Sequence, residues 1–283
     1  MKRSVCNELF GGTEQTAFTG SLKIIRETGF HGVEIAPHTL FGNFSGNLRN
    51  TLSDIKTTLD GEGVAFAGFH WLLVGPEGLH VCSPDEKVRG KSWDHIRLLA
   101  DMAGELGGGP LTFGSPAQRS SRGVSRDIPE ISGKSSSGKA LELFIRGLSS
   151  VAEHVESTGS RLLVEALPSE FTDVVNTLEE ARTVIDSIGK PGIGGMFDFH
   201  NTDDEKAPWD ALIREHRNYI SHVHLNDKGG TAPTTVTDEY RKAFMALNEI
   251  GYESWVSLEI FTEPENPRSL LEGVRDFLNG VSS

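Results

Sequence analysis

Short apolar runs alternate eight times with longer amphipathic stretches along the chain, and this alternation limits the fold more than any other feature. The runs predict strands over residues 2–6, 32–36, 64–73, 110–114, 161–167, 193–199, 220–225 and 255–261. The stretches between them predict helices over residues 13–27, 48–61, 84–106, 138–156, 177–188, 209–217, 238–250 and 267–278. Asn176 and Pro208 stand where helix starts are expected, and Gly29, Gly107, Gly159, Gly189 and Gly251 stand where helix ends are expected. Consecutive parallel strands require a crossover, which a helix supplies. Eight such units in 283 residues predict an α/β fold made of a single (β/α)8 barrel, with residues 1–283 as one domain. A doubly wound sheet is the competing architecture, but the GxGxxG turn usual after its first strand is missing. Residues 118–139, rich in Ser, Gly and Arg, predict one long loop.

Composition narrows the function classes. The 27 Lys and Arg face 40 Asp and Glu, for a formal charge of −13, which argues against a nucleic-acid binder. Two cysteines, Cys6 and Cys82, cannot make a disulfide framework or a four-cysteine zinc site. No leader-like N-terminus and no run of 18 apolar residues is present, so a cytoplasmic protein without a membrane partner is expected.

In a barrel of this type chemistry collects where the strands end, at the face crossed by the strand-to-helix loops. Four consecutive predicted strands put acid or imidazole groups there. The fifth ends in Glu165, the sixth carries Asp198 and His200, the seventh carries His222 and His224, and the eighth ends in Glu259. Period-two alternation places Asp198 with His200, and His222 with His224, on common faces. Glu165, Asp198, His224 and Glu259 can therefore aim at one point. Three carboxylates and one imidazole suit a single divalent cation, Mn²⁺, Mg²⁺ or Co²⁺ by preference and Zn²⁺ as a further option. Without a cation, three buried carboxylates would repel one another.

These residues give the chain its resemblance to the sugar phosphate isomerase/epimerase family, the xylose isomerase-like TIM barrels, and within it to ketose 3-epimerases. The likeness runs through Gly29-Phe-His-Gly-Val-Glu34-Ile, Gly68-Phe-His70-Trp, Gly114-Ser-Pro-Ala-Gln-Arg119, the Glu165 and Asp198 strands, His222-Val-His224-Leu-Asn-Asp227 and Glu259. It implies that Glu165, Asp198, His224 and Glu259 hold one divalent metal. It also implies that Glu165 and Glu259 are the catalytic acid–base pair, working next to a substrate carbonyl through a metal-stabilised enediolate. The expected activity is a sugar isomerase or epimerase acting on a small-molecule sugar or polyol-like carbonyl. The chain departs from the ketose 3-epimerase pattern in carrying Asn201 where a His is usual three residues after the metal Asp. It also has Gly230 where an Arg is usual six residues after the metal His.

Other residues are candidates for substrate contact: Glu34, His70, His200, His222 and Arg119. Each has a plainer alternative. Glu34 could anchor a neighbouring Arg, His222 could be a satisfied core histidine, and Arg119 could pair with one of the many acids. Asp227 is expected to cap its loop, Cys6 to be a small buried hydrophobe, and Phe10, Phe69, Trp71, Phe199 and Phe261 to pack or to wall a sugar pocket. The same site could also serve a lyase that dehydrates a keto-polyol or eliminates from an oxidised glycoside, because proton abstraction beside a carbonyl starts that reaction too. An endonuclease is disfavoured by the acidic charge, and a non-catalytic barrel by retention of all four ligand candidates. A homodimer or homotetramer is compatible with a barrel of this kind.

Overall fold

The structure, a computed structural model, describes residues 1–11, 15–122 and 136–281. Eight parallel strands close a barrel in simple sequence order: β1 (Lys2–Cys6), β2 (Gly32–Ile35), β3 (Ala65–Phe69), β4 (Pro110–Phe113), β5 (Arg161–Val164), β6 (Ile193–Asp198), β7 (Ile220–Leu225) and β8 (Trp255–Leu258). β1 pairs with both β2 and β8, so no sheet edge is left open. The crossovers are α1 (Gln15–Glu27), α3 (Leu48–Glu62), α4 (Glu86–Glu105), α6 (Ser136–Ser157), α7 (Leu178–Ile188), α8 (Trp209–Glu215) and α9 (Asp238–Glu249), and α10 (Pro267–Val281) follows β8. Two short helices, α2 (Pro37–Phe41) and α5 (Pro116–Arg119), and a 3₁₀ turn at Asn7–Phe10 sit in the loops after β2, β4 and β1. Among the described residues no helix is long and apolar enough to cross a membrane.

The expected strands are all present, though six of them end earlier than the apolar runs do. The runs overshoot because residues such as Leu72, Leu73, Ala166, Leu167 and Ile260 are buried in loops folded over the barrel end, beyond the last ladder bond. The five glycines expected at helix ends all adopt left-handed φ. The helix expected to open at Asn176 opens one residue later. Thr177 Oγ1 accepts from the Glu180 N–H (3.2 Å), while the Asn176 N–H donates to Glu180 Oε2 (2.6 Å), a reciprocal cap. α2 and α5 were not expected; each begins on a proline that presets the first helical φ. Of the long loop expected over 118–139, residues 118–119 belong to α5 and 136–139 to α6, and 123–135 lie outside the described residues.

Strand alternation sorts two layers. Val5, Val33, Ile35, Leu111, Phe113, Leu162, Val164, Phe197, Val223, Leu225, Val256 and Leu258 belong to the continuous apolar core between strands and helices. The alternate positions Ser4, Cys6, Glu34, Thr112, His222, His224 and Ser257 are buried as well but lie outside that apolar cluster. They line the inside of the barrel. Ser4 and Ser257, paired across β1 and β8, share a 2.6 Å hydroxyl hydrogen bond there. Hydrophobic burial thus holds the outer layer, and hydrogen bonds must satisfy the inner one.

Close approach of α6 to the start of β6 depends on Gly192. A Cβ on Gly192 would stand 2.0 Å from the Ala152 carbonyl oxygen, a backbone atom with little freedom to yield. Gly192→Ala is expected to lower stability by about 1–3 kcal/mol, seen as a fall in the urea midpoint. Gly90→Ala, in the second turn of α4 with open space around it, is expected to raise that midpoint, corresponding to about 0.5–1 kcal/mol.

Candidate active site

The C-terminal ends of the strands bring the ligand candidates together. Glu165 follows β5 directly, Asp198 closes β6, His224 is the penultimate residue of β7, and Glu259 follows β8. Asp198 and His224 are register partners across β6 and β7. One potential ligand atom from each of Glu165, Asp198, His224 and Glu259 lies within 4.8 Å of the others, and all four residues are buried. His224 Nδ1 is 3.0 Å from Glu259 Oε2 and 3.8 Å from Asp198 Oδ2, yet it has no hydrogen-bond geometry to either. An orphaned imidazole nitrogen facing a ring of carboxylate oxygens, none aimed along its N–H direction, is a donor set that fits a divalent cation.

The other nitrogen of His224 is fixed from below. Its Nε2–H donates to Glu34 Oε1 (3.1 Å), and His222 Nε2–H donates to Glu34 Oε2 (2.7 Å). Thr112 Oγ1 adds a third bond to Glu34 Oε1 (3.3 Å). A carboxylate behind an imidazole sets its tautomer and leaves Nδ1 free for a ligand. Glu34 and His222 are fully buried inside the barrel, two layers of one network. Among the described residues no Arg pairs with Glu34; two histidines bind it.

His70, the first residue after β3, donates from Nε2 to Glu8 Oε2 (2.8 Å), and its Nδ1 lies 3.9 Å from Glu34 Oε1. His200 sits one turn past β6, so the shared face expected with Asp198 does not continue that far. Its backbone N–H caps Asp198 Oδ1 (2.7 Å), and its half-buried ring meets Phe261 edge to face at 5.3 Å.

Arg119 departs from expectation. It is fully buried, and its guanidinium donates to the carbonyls of Phe113 (3.2 Å), Glu165 (2.8 Å) and Val175 (3.1 Å). Those bonds occupy the fork that would have gripped a substrate anion, so Arg119 supports the ends of β4 and β5 instead. It also fastens Val175, a β-branched residue held at φ 62°. Phe69 and Phe199 likewise belong to the apolar core, whereas Trp71 and Phe261 are exposed at the strand ends. Asp227 does cap its own loop, through the Lys228 N–H (2.7 Å). Cys6 is buried among the inward-facing residues.

Three contributors were not singled out as site residues from sequence. Glu8 lies in the 3₁₀ turn after β1 and reaches the site through His70. Asn201 Nδ2 reaches both Glu165 Oε1 (2.9 Å) and Asp198 Oδ2 (3.0 Å). Trp71 Nε1–H donates to Glu259 Oε1 (3.2 Å), and the indole stacks on His38 at 5.7 Å. A left-handed φ of 52° at Trp71 turns it onto the site, and nothing in the linear pattern announces that.

The electrostatics split the carboxylates. Burial, and then the facing charges of Asp198 and Glu259, push the Glu165 carboxyl well above its usual range. Burial and Glu259 raise Asp198 too. Burial would also raise Glu259, but the adjacent His224 outweighs it and holds Glu259 below the usual carboxylate range. Burial opposes charge on Glu34 as well, and His222 and His224 overcome it, so Glu34 is held well below that range. Burial disfavours the charged imidazole of His224, yet Glu34 and Glu259 carry it well above its ordinary value.

Residues 22–279 match the model of the xylose isomerase-like TIM barrel family. The chain belongs to that family. It is 23% identical over 270 residues, 90% of its length and 94% of the relative's, to the 3-dehydro-D-guloside 4-epimerase of Escherichia coli K12. A 126-residue stretch, 44% of this chain and 43% of the relative, is 27% identical to a probable ketose 3-epimerase of Synechocystis. The fold superposes on the crystal structure of a 3-keto-D-glucoside 4-epimerase from E. coli with a TM-score of 0.79 at 19% identity, over 100% of this chain and 99% of that one. The expected family and barrel are therefore both found.

Arg119 gives the site its clearest stability test. Arg119→Met removes three buried charge-assisted hydrogen bonds to backbone carbonyls and is expected to cost about 2–5 kcal/mol, read as a lower urea midpoint. Arg119→Lys is expected to recover less than half of that loss, because an ammonium cannot span three separated acceptors.

Proposed function

We propose that this protein is a divalent-metal-dependent epimerase of keto-sugars. The observation that carries the reading is the convergence of Glu165, Asp198, His224 and Glu259 within 4.8 Å at the strand ends. Those four residues would hold the cation. When bound, it supplies Lewis-acid stabilisation for negative charge developing on a substrate oxygen. Mn²⁺, Mg²⁺ or Co²⁺ suits the oxygen-rich donor set best.

The chain's own residues supply the proton chemistry. Glu165 and Glu259 enter the cluster from the ends of β5 and β8, so one can take the proton beside a carbonyl while the other returns one. Removal from one face of the carbon and delivery to the other inverts it, which is epimerisation. Trp71 orients Glu259 through its indole N–H and presents an exposed ring face. Phe171, after β5, and Phe261, after β8, are exposed as well. Aromatic faces at the mouth of the barrel suit the apolar C–H face of a sugar ring. The relatives named above act on ketoses and on dehydro- or keto-glycosides, and both carry a ketone beside a stereocentre. His70, His200 and the Glu34–His222 pair are assigned to shaping the polar floor beneath such a substrate.

Two measurements test the reading. Purified protein is expected to carry one divalent cation per chain by elemental mass spectrometry, with the cation lost in Glu259→Gln and His224→Ala; equal content in all three would remove the site. Incubation with Mn²⁺ and a panel of free ketoses and 3-keto-glycosides in D₂O is expected to place deuterium on the carbon beside the ketone. Glu165→Gln and Glu259→Gln should each slow that exchange by about 10²–10⁴-fold. Loss of water or an aglycone in place of exchange would assign a lyase instead.

A further inference from the structure

We propose that Asn201 is a positioning residue of the cation site, whose side-chain amide holds the Glu165 and Asp198 carboxylates at the spacing that a shared cation requires. The inference rests on the metal reading above. Asn201 lies in the turn after β6 and is 7% exposed. Its Nδ2 donates to Glu165 Oε1 at 2.9 Å and to Asp198 Oδ2 at 3.0 Å. An amide NH₂ has two hydrogens, so it serves both oxygens at once. The two acceptors come from neighbouring strands and repel as like charges in a buried setting. A neutral donor between them offsets part of that repulsion without adding a positive charge that would compete with a metal.

The remaining contacts show how completely the two carboxylates are placed. Asp198 has its second oxygen fixed by the His200 backbone N–H at 2.7 Å. Glu165 has its carbonyl held by Arg119 at 2.8 Å. Its Oε2 packs against Gly114, where a Cβ would stand only 2.3 Å away. Backbone, one flank and one oxygen of Glu165 are thus set by Arg119, Gly114 and Asn201 in turn. Asn201 is the member of this set that ties one ligand to the other. Its loss removes the neutral donor that the two carboxylates share.

Cation-stripped wild type, Asn201→Ala, Asn201→Leu and Asn201→Ser are titrated with Mn²⁺, with free ion followed by electron paramagnetic resonance. Wild type is expected to bind one Mn²⁺ per chain, and the variants to bind it about 10–100-fold more weakly while remaining folded by circular dichroism. A space-filling role predicts that Leu preserves affinity, and a general polar role predicts that Ser does. The same titration in a Glu165→Gln background adds a readout specific to positioning: the loss caused by Asn201→Ala should shrink at least about fivefold there. Any folded variant that binds Mn²⁺ as tightly as wild type, or an undiminished loss in the Glu165→Gln background, overturns the inference. Failure of wild type itself to take up Mn²⁺ overturns the metal reading first, and is recognised before any variant is compared.

Discussion

Three carboxylates meeting one imidazole in a buried space is the arrangement around which the upper half of the barrel is organised. Coulomb repulsion among Glu165, Asp198 and Glu259 works against folding whenever no cation is present, and burial strengthens it. The chain tolerates that repulsion because each group is held by a neighbour. His224 lies beside Glu259, Asn201 bridges Glu165 and Asp198, and Trp71 donates to Glu259. A cation among them would turn the same repulsion into a ligand field.

Support for the site reaches down into the barrel and out to its wall. Inside, Glu34 binds His222 and His224 together and fixes which imidazole nitrogen faces the carboxylates. At the wall, Arg119 spends a buried guanidinium on three carbonyls at the ends of β4 and β5 and in the following loop. Such residues set the positions of the clustered side chains, from beneath and from the wall. The apolar layer between strands and helices gives this frame its rigidity, since closely packed interiors resist small displacements.

Relatives named for ketose and keto-glycoside epimerisation share the family, and the site has the donors such chemistry requires. The differences from the ketose 3-epimerase pattern fall around this same cluster. Asn201 stands where a substrate-binding His was expected, and its amide is directed to the carboxylates. At Gly230, a side chain would collide with Phe261, whose ring lies 1.9 Å from where a Cβ would be. One side of the mouth therefore presents an aromatic ring where the ketose 3-epimerase pattern has an Arg.

Strand and helix periodicity made the eight units legible, and period-two alternation made the inward set legible, because local backbone geometry imposes both patterns wherever they occur. The four converging residues followed from their place at strand ends, a consequence of barrel topology alone. What linear spacing could not show is which partner each polar group chooses once buried. Arg119 read as an anion receptor from its place after β4, but the buried carbonyls of Phe113, Glu165 and Val175 claimed it. Asn201 read as a departure from a family pattern, and only the approach of β5 to β6 turned it into a bridge. Trp71 reached Glu259 through a left-handed backbone step that no periodicity encodes. The sequence by itself determined the barrel and the acids at its mouth, since repeating local patterns carry both. The tertiary structure decided which hydrogen bonds hold those acids together, since the bonds that link one strand end to another join residues dozens of positions apart, under the rule that a buried polar group must find a partner.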